Sequence, residues 1–429
     1  MADILIASVP IHGHVAPMLA AAASLVQRGH RIRFLTGARF AADVEASGSV
    51  FVPLPAEADF DDRIVAAGLA DAQRPDGIRG LRYDVTRTFL APARAQYDAL
   101  VGALTERTDA VMVDPTFIGA GLLAAGPRAQ RPPVIIGGVL PLTLASNWAP
   151  PFGPGIQPRP GPIRRLDRAS FRLLRLMVER VVFAQAQRDF DALSRTVTGR
   201  GADAFVLDWV SITDGIVQFS TPSFEYPRPD ATVPIRFAGP IIGPSSGELP
   251  DWWGDLDSGR PVVLVTQGTI ANNDLGMLVR PAIEGLAGAD LLVVVTTGGP
   301  PVADLGPLPA NVRAAEFLPY ADLFPKVDVF VTNGGYGGVQ FALSHGTPLV
   351  AGGAGEDKPE VAARVGWSGV GVNLRTGRPS ARAVADAVAT VLRDSRYRAA
   401  AQLAAREIAA ARGVVEIEEL IAGLAVSPG

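Results

Sequence analysis

The sequence predicts an α/β protein with two domains, each a parallel β-sheet that helices cover on both faces. Three observations lead to this fold class. Short apolar runs of strand length alternate with helical patterns in both halves of the chain. The length of 429 residues is about twice that of a usual single domain. A stretch rich in Gly and Pro separates the two halves.

The first half opens with a strand, a loop and a helix. Residues 4–9 form a continuous apolar run that ends at Pro10, and a periodic pattern of helical type follows at 16–27. The same rhythm predicts further strands at 31–36, 50–54, 110–113 and 134–136, and helices near Ala41 and at 118–125. A loop rich in Pro and Gly at 150–162 leads into a long helical pattern at 165–193.

The second half is wound in the same way. Its predicted strands lie at 262–265, 291–295, 312–314, 327–331, 349–350 and 370–372. We assign residues 1–240 to an N-terminal domain, 241–259 to a linker, 260–405 to a C-terminal domain and 406–429 to a C-terminal helix that could cross back to the first domain. Open parallel sheets bind ligands beyond the carboxyl ends of their strands, so the sequence predicts a site in the interdomain cleft.

Composition excludes several classes of function. The chain has no cysteine, which excludes disulfides, thiolate catalysis and cysteine-based metal sites. Its formal net charge is −4 and its arginines are dispersed, so nucleic acid is not an expected partner. No apolar stretch reaches the length of a membrane span, and the first residues lack the pattern of a signal peptide. We therefore expect a cytoplasmic protein, either a monomer or a homodimer.

Two residues of the first half are candidates for acid–base chemistry. His14 follows the first strand, where a neutral imidazole can accept a hydroxyl proton, although capping the next helix would explain it equally well. Asp114 follows the strand at 110–113 and could fix the tautomer of His14, although a turn-starting Asp before Pro115 is an equal alternative. His12 could serve instead of His14, but a loop histidine without a role explains it better.

Three loops of the second half are candidates for binding an anion. The segment 331–348 runs from a strand through a glycine-dense loop into a helix, where backbone N–H groups and the helix N-terminus favour a diphosphate. Residues 266–269, Thr-Gln-Gly-Thr, offer a second small loop of this kind. Glu356, Asp357 and Lys358 could hold sugar hydroxyls, although a polar surface loop with a local ion pair is the simpler explanation.

The segment Gly13-His14-Val-Ala-Pro17, together with 331–335 and Asp357-Lys-Pro-Glu-Val-Ala-Ala-Arg364, resembles the family 1 glycosyltransferases of GT-B fold, closest to bacterial enzymes that glycosylate natural products such as macrolides. The resemblance covers nearly the whole chain. It implies that His14 is the general base and Asp114 its partner. It also implies donor contacts from Gly268, Thr269, Phe317, Leu318, Pro319, Asn333, Gly334, Gly335, Gly337, Gly338, Gln340, Asp357 and Lys358. The acceptor is assigned to Ile11, His12 and Phe117.

The resemblance also implies the reaction. A sugar passes from a nucleotide diphosphate sugar, linked to UDP or dTDP, to a hydroxyl of a small lipophilic acceptor, with inversion and with neither a metal nor a cofactor. Two positions depart from the family: Asn333 stands where a histidine is usual, and Phe341 where many members have a glutamate for the ribose, a role that Gln340 could take. These departures keep open the alternative of a catalytically silent protein that binds nucleotide sugars. Among enzymes, a nucleotide-sugar epimerase on the same fold is a second alternative.

Overall fold

The computed structural model describes residues 1–62, 77–159, 161, 163–243, 247–269 and 272–426. Parts of the predicted loop at 150–162, of the linker and of the C-terminal helix fall on residues 160, 162, 244–246 and 427–429, which lie outside the described residues. The chain forms two compact units. Unit 1 comprises 1–152, 163–243 and 411–429, and unit 2 comprises 153–162 and 244–410. The predicted domain boundaries stay predictions.

Unit 1 is built on a seven-stranded parallel sheet of order β3-β2-β1-β4-β5-β6-β7. Its strands are β1 Asp3–Ala7, β2 Arg31–Thr36, β3 Val50–Pro53, β4 Ala110–Val113, β5 Val134–Gly138, β6 Gly215–Gln218 and β7 Ile235–Phe237. Successive residues of β1 enter different cores, Ile4 and Ile6 on one face and Leu5 and Ala7 on the other. This alternation explains why a strand that is buried on both faces reads as a continuous apolar run.

The helices of unit 1 cover both faces of this sheet. Up to residue 198, the described α-helices of this unit are α1 His12–Gln27, α2 Ala41–Ala46, α3 Gly77–Tyr83, α4 Ala93–Ala103, α5 Gly119–Ala124, α6 Arg165–Met177 and α7 Ala184–Thr198. Two π-helical segments, Asp84–Leu90 and Val178–Val182, follow α3 and α6. The helical pattern predicted at 165–193 is therefore two α-helices, α6 and α7, because the π-helical segment at 178–182 separates them.

Unit 2 is built on a six-stranded parallel sheet of order β10-β9-β8-β11-β12-β13. Its strands are β8 Val262–Thr266, β9 Leu292–Thr296, β10 Val312–Ala315, β11 Val329–Thr332, β12 Leu349–Ala351 and β13 Gly371–Asn373. Its helices are α8 Val279–Leu286, α9 Tyr320–Leu323, α10 Tyr336–Ser344, α11 Lys358–Trp367, α12 Ala381–Arg393 and α13 Ser395–Ala410. The α/β fold class with two parallel sheets is thus confirmed.

The last helix, α14 Val415–Val426, belongs to unit 1. Ile417, Leu420 and Ile421 are buried with Val217 and Phe219 in one apolar core of that unit. Glu418 pairs with Arg28 and His30, which fixes the helix against the end of α1. Among the described residues, no helix combines the length and apolarity that crossing a membrane requires.

Candidate active site

His14 lies in the first turn of α1. The sequence predicts a loop here with helical pattern from residue 16, but the helix begins at His12. Ile11 is the extended residue before the helix, and no side chain of the N-cap position caps it. The carboxylate of Asp62 accepts the N–H of His12 at 2.8 Å and so satisfies one of the amides at the helix start. A capping role does not account for His14.

Asp114 lies directly after β4 and faces His14. Its Oδ1 is 3.2 Å from Nδ1 of the imidazole, and its side chain is fully buried whereas that of His14 is 16% exposed. The second oxygen, Oδ2, accepts the N–H of Val9 at 2.7 Å, and Oδ1 also accepts the N–H of Thr116 at 2.8 Å. The structure therefore brings together the two residues that the sequence singles out for acid–base chemistry.

The pKa of Asp114 shows that this pocket favours the charged carboxylate. Burial alone raises the pKa, but the hydrogen bond and charge of His14, with the bonds from Thr116 and Val9, outweigh it and hold the pKa below its usual value. An ionised carboxylate accepts hydrogen bonds and donates none, so Nδ1 of the imidazole is the donor. The proton acceptor of the neutral ring is then Nε2.

Sequence reasoning missed the residues that hold this pair in place. The hydroxyl of Thr116 donates to Asp114 and lies 3.2 Å from Nδ1 of His14. The indole Nε1 of Trp209, itself buried, donates to the carbonyl oxygen of Pro115 at 2.9 Å. Thr116 stands two residues after Asp114, a spacing at which a hydroxyl can hydrogen-bond the carboxylate. No local sequence signal points to Trp209.

The three residues assigned to the acceptor lie in different environments. His12 is exposed, and Ile11 is partly buried at the start of α1. Phe117 is fully buried in the apolar core of unit 1 that also contains Leu122 and Phe190. The structure corrects the assignment of Phe117, because a ring without exposed surface packs the core and offers no contact to an acceptor.

In unit 2 the loop after β8 is held by side-chain bonds to the backbone. Gln267 accepts the N–H groups of Leu278 and Val279 at 2.9 and 3.0 Å, which ties the loop to the start of α8. Gly268 has φ +77°, and its N–H donates to the hydroxyl of Thr266 at 3.1 Å. Thr269 is exposed beside it. The loop therefore presents Thr269, with the amide of Gly268 turned to Thr266.

The loop after β11 approaches the loop after β8. The side-chain amide of Asn333 donates to the carbonyl oxygen of Gln267, and its Oδ1 accepts the N–H of Gly335 at 3.3 Å. Gly334 has φ +88°, a conformation that L side chains rarely adopt. Helix α10 begins after Gly335 without a side-chain cap, and Gly337 and Gly338 form its first turn. A bare helix start of this kind favours an anion.

The loop after β12 packs closely against that glycine loop. A Cβ on Gly353 would lie 1.8 Å from the carbonyl oxygen of Asn333, and one on Gly334 would lie 3.1 Å from that of Lys358. Asp357 precedes α11, and the buried ammonium of Lys358 pairs with Glu356. The structure thus brings the predicted residues of these two loops together, and glycine is required where they touch.

The other predicted donor residues differ in exposure. Phe317 is 62% exposed in the loop after β10, next to the buried Leu318 and to Pro319, the residue directly before α9. Gln340 is only 3% exposed within α10, so little of its side chain is accessible to a ribose. Phe341 stacks on His345 with ring centroids 5.0 Å apart, which explains an aromatic residue at this position by packing.

Comparison with known proteins identifies the class. Residues 281–423 match the family model described as Erythromycin biosynthesis protein CIII-like, C-terminal domain. The chain belongs to the family 1-like glycosyltransferases of GT-B fold, and it is a glycosyltransferase.

Individual relatives cover the whole chain. It is 40% identical over 427 residues to the 4'-demethylrebeccamycin synthase of Lentzea aerocolonigenes, across 99% of both chains. It is 33% identical to the UDP-glycosyltransferase 2 of Phaeomoniella chlamydospora, across 99% of this chain and 96% of that one. The crystal structure of the glycosyltransferase of kitacinnamycin shares the fold with a TM-score of 0.71 and 22% identity, across 99% of this chain and 98% of that one.

Proposed function

We propose that this glycosyltransferase moves a hexose from UDP- or dTDP-hexose to a hydroxyl of a small lipophilic natural product, with inversion at the anomeric carbon and without a metal. His14 is the general base of the reaction. The observation that carries this proposal is the 3.2 Å contact between Nδ1 of His14 and the buried carboxylate of Asp114. It leaves Nε2 as the basic nitrogen, which removes the acceptor proton as the hydroxyl oxygen attacks.

Asp114 stabilises the imidazolium that forms in this step. The groups around its carboxylate already keep the pKa of Asp114 low, so the carboxylate stays ionised while the ring takes up the proton. The new positive charge on His14 is then compensated at once by a fixed negative charge in a buried position. Direct displacement by one activated hydroxyl accounts for the inversion.

The donor is held by unit 2. The start of α10 and the glycine loop before it supply backbone dipoles to the diphosphate, and these stabilise the charge that develops on the leaving group. Asp357 and Lys358 are assigned to the sugar, and the exposed ring of Phe317 to the nucleobase. Asn333 contributes through the geometry of its loop, since both ends of its side chain bond to backbone within unit 2.

The acceptor class follows from the relatives. The relative with 40% identity is named for the synthesis of 4'-demethylrebeccamycin, and another is named a demethyllactenocin mycarosyltransferase. Both names support a natural product as the acceptor, and the second supports a macrolide. The name of the UDP-glycosyltransferase supports a UDP-linked donor.

Product mass tests the proposal directly. The purified protein is incubated with UDP-glucose or dTDP-glucose and a panel of phenols and macrolides, with and without EDTA. We expect an acceptor that has gained one hexosyl unit, in the inverted configuration by NMR, with a yield that EDTA does not change. Conversion of the donor sugar without an acceptor would establish an epimerase instead. Binding of the donor with no turnover across the panel would favour the silent binding protein.

A further inference from the structure

Helix α6 concentrates positive charge in an otherwise mildly acidic chain. Residues 164–180 contain six arginines and two acidic residues, a local net charge of +4 against −4 for the whole protein. The arginines are dispersed in sequence, but four of them, Arg165, Arg168, Arg172 and Arg175, are spaced by three or four residues. This spacing places them in one stripe along the helix, which at 13 residues is about 20 Å long.

The arginine stripe lines a cavity of about 550 Å³ together with Asn147 and Ala169. The guanidinium of Arg168 lies 4.4 Å from the centroid of the Trp148 ring, and Nη2 of Arg175 donates to Asn147 at 3.2 Å. Both contacts hold a guanidinium in place without neutralising its charge. The guanidinium groups of Arg168 and Arg175 are therefore held in position as cations on the wall of this cavity.

Carboxylates do not neutralise this stripe. Arg175 has Glu179 at 3.7 Å and its charge also acts on the carboxyl group of Asp208, but within the described part of the chain no carboxylate pairs with Arg165, Arg168 or Arg172. Elsewhere in the same part of the chain, arginine pairs are frequent, as at Arg236 with Glu416 and Arg412 with Glu419. Unneutralised arginines that lie side by side repel each other, so an anionic ligand would stabilise this surface.

A second stripe on the same helix is apolar and exposed. Leu166, Leu173 and Met177, which are 84%, 62% and 54% exposed, lie at positions i, i+7 and i+11 and thus along one side of α6. Val181 continues the stripe into the following π-helical segment and is also exposed. A third side of α6, on which Phe171 is buried, packs against unit 1. Arg168 and Arg175 also contact unit 1, through Trp148 and Asn147, whereas Leu166, Leu173 and Met177 remain exposed.

We propose that α6 is a docking surface for a membrane that contains anionic lipids. The arginines pair with lipid phosphates, and Leu166, Leu173 and Met177 enter the boundary between headgroups and acyl chains. A helix that carries arginines on one side and exposed large apolar residues on another, with few acids, is typical of helices that lie in the plane of a membrane interface. A bilayer supplies both required partners, negative charge and apolar depth, along the full length of the helix.

Charge argues against a second copy of the chain as the occupant. A symmetric dimer brings the same patch of both copies together, so this surface would place two stripes of +4 against each other. A small anion would satisfy the arginines alone and would leave the apolar stripe in water. The membrane proposal does not depend on the transfer reaction, since it is measured without donor or acceptor.

Vesicle sedimentation tests the proposal with the full chain. Vesicles of phosphatidylcholine are compared with vesicles that contain about one-third phosphatidylglycerol. We expect at least about tenfold stronger partition into the anionic vesicles, weakened by salt because exposed charges are screened. Arg165→Gln with Arg172→Gln should lower this partition about tenfold or more, and so should Leu166→Gln with Leu173→Gln and Met177→Gln.

A matched variant on another helix controls for general effects. Arg406 and Leu403 are both exposed on α13, and Arg406→Gln with Leu403→Gln should leave partition unchanged. Circular dichroism checks that each variant is folded. Equal partition into both kinds of vesicle, or none, contradicts the proposal. Loss of binding in the arginine variant but not in the apolar variant, or full competition by millimolar inorganic phosphate, would establish an anion site and overturn the membrane assignment.

Discussion

The two units use equivalent positions of their sheets for different chemistry. In unit 1 the adjacent central strands are β1 and β4, and in unit 2 they are β8 and β11. At this point of each sheet the order of strands reverses, which is where parallel α/β sheets bind ligands. Unit 1 places His14 and Asp114 beyond these strands, whereas unit 2 places Gln267 and Asn333 there.

The difference separates moving a proton from holding an anion. The contact in unit 1 joins two groups that can be charged, and it responds to protonation. The contact in unit 2 joins an amide side chain to a backbone carbonyl, between loops whose glycines allow close approach. An uncharged loop of this kind presents backbone dipoles that no change of pH within the physiological range removes. The account therefore predicts that variants in unit 1 affect turnover and variants in unit 2 affect donor affinity.

The largest effect is expected from His14→Ala. Removal of the general base should lower kcat about a thousandfold, because positioned proton transfer contributes on that scale. The dissociation constant of the nucleotide sugar, measured by calorimetry, should stay within about twofold. His12→Ala is the matched comparison, since His12 is exposed two residues earlier and is assigned to the acceptor, so its loss should raise the KM of the acceptor and leave most of kcat. A His14→Ala enzyme with normal turnover would end the assignment of the base.

Asp114→Asn should lower kcat about a hundredfold, since the neutral amide can no longer hold the tautomer or compensate the imidazolium. The variant also changes the dependence of stability on pH. The pKa of Asp114 is lowered in the folded protein, so its charge stabilises the fold above the unfolded pKa and this contribution is lost as pH falls through the folded pKa. Urea unfolding should therefore show the advantage of the wild type over Asp114→Asn shrinking in acid.

Asp208 provides the opposite case in the same unit. Burial raises its pKa to about 6, because the N–H of Ala145 and the charge of Arg175 compensate only in part. The favourable contribution is complete below the unfolded pKa and is lost as pH rises through about 6. As the pH rises from about 4 to about 8, the free energy of unfolding of Asp208→Asn should therefore increase by about 2 kcal/mol relative to that of the wild type. The exposed Asp203 is the control, and Asp203→Asn should change the free energy of unfolding little.

Gly334→Ala should weaken donor binding about tenfold while kcat changes little. The residue has φ +88°, and its new Cβ would press on the carbonyl oxygen of Lys358, so the loops after β11 and β12 must move apart. Gly288 shares a positive φ, +71°, but an added Cβ meets nothing within 4 Å. Gly288→Ala should therefore lose stability without a change in the dissociation constant of the donor, measured by calorimetry. Equal affinity losses in both variants would contradict the role of the glycine loop.

Much of the fold could be predicted because buried parallel strands are continuous apolar runs. The run at 4–9 covers β1 from Ile4 to Ala7, and the run at 262–265 lies within β8. Two strands escaped prediction, Gly215–Gln218 and Ile235–Phe237, because they are short and contain glycine, glutamine or arginine. Pairing with β5, rather than local propensity, makes β6 a strand. The packing of α14 against Val217 and Phe219 is likewise a long-range effect.

The site could be predicted in part for a similar reason. Residues at the carboxyl ends of parallel strands meet at one edge of a sheet, which is why His14 and Asp114 could be paired before the structure showed β1 beside β4. The burial of Phe117 could not be foreseen, because the same local sequence allows a phenylalanine after a strand to pack in a core or to contact a ligand. The anchoring of Pro115 by Trp209 joins residues 94 positions apart and has no local signal.

The coupling between His14 and Asp114 is the most direct test of the central claim that the two act as one unit in proton transfer. A double-mutant cycle compares kcat for the wild type, His14→Ala, Asp114→Asn and the double variant. The account predicts that Asp114→Asn lowers kcat about a hundredfold in the wild type but less than about threefold once His14 is absent, because its partner is gone. Independent, multiplicative losses in the double variant would contradict it.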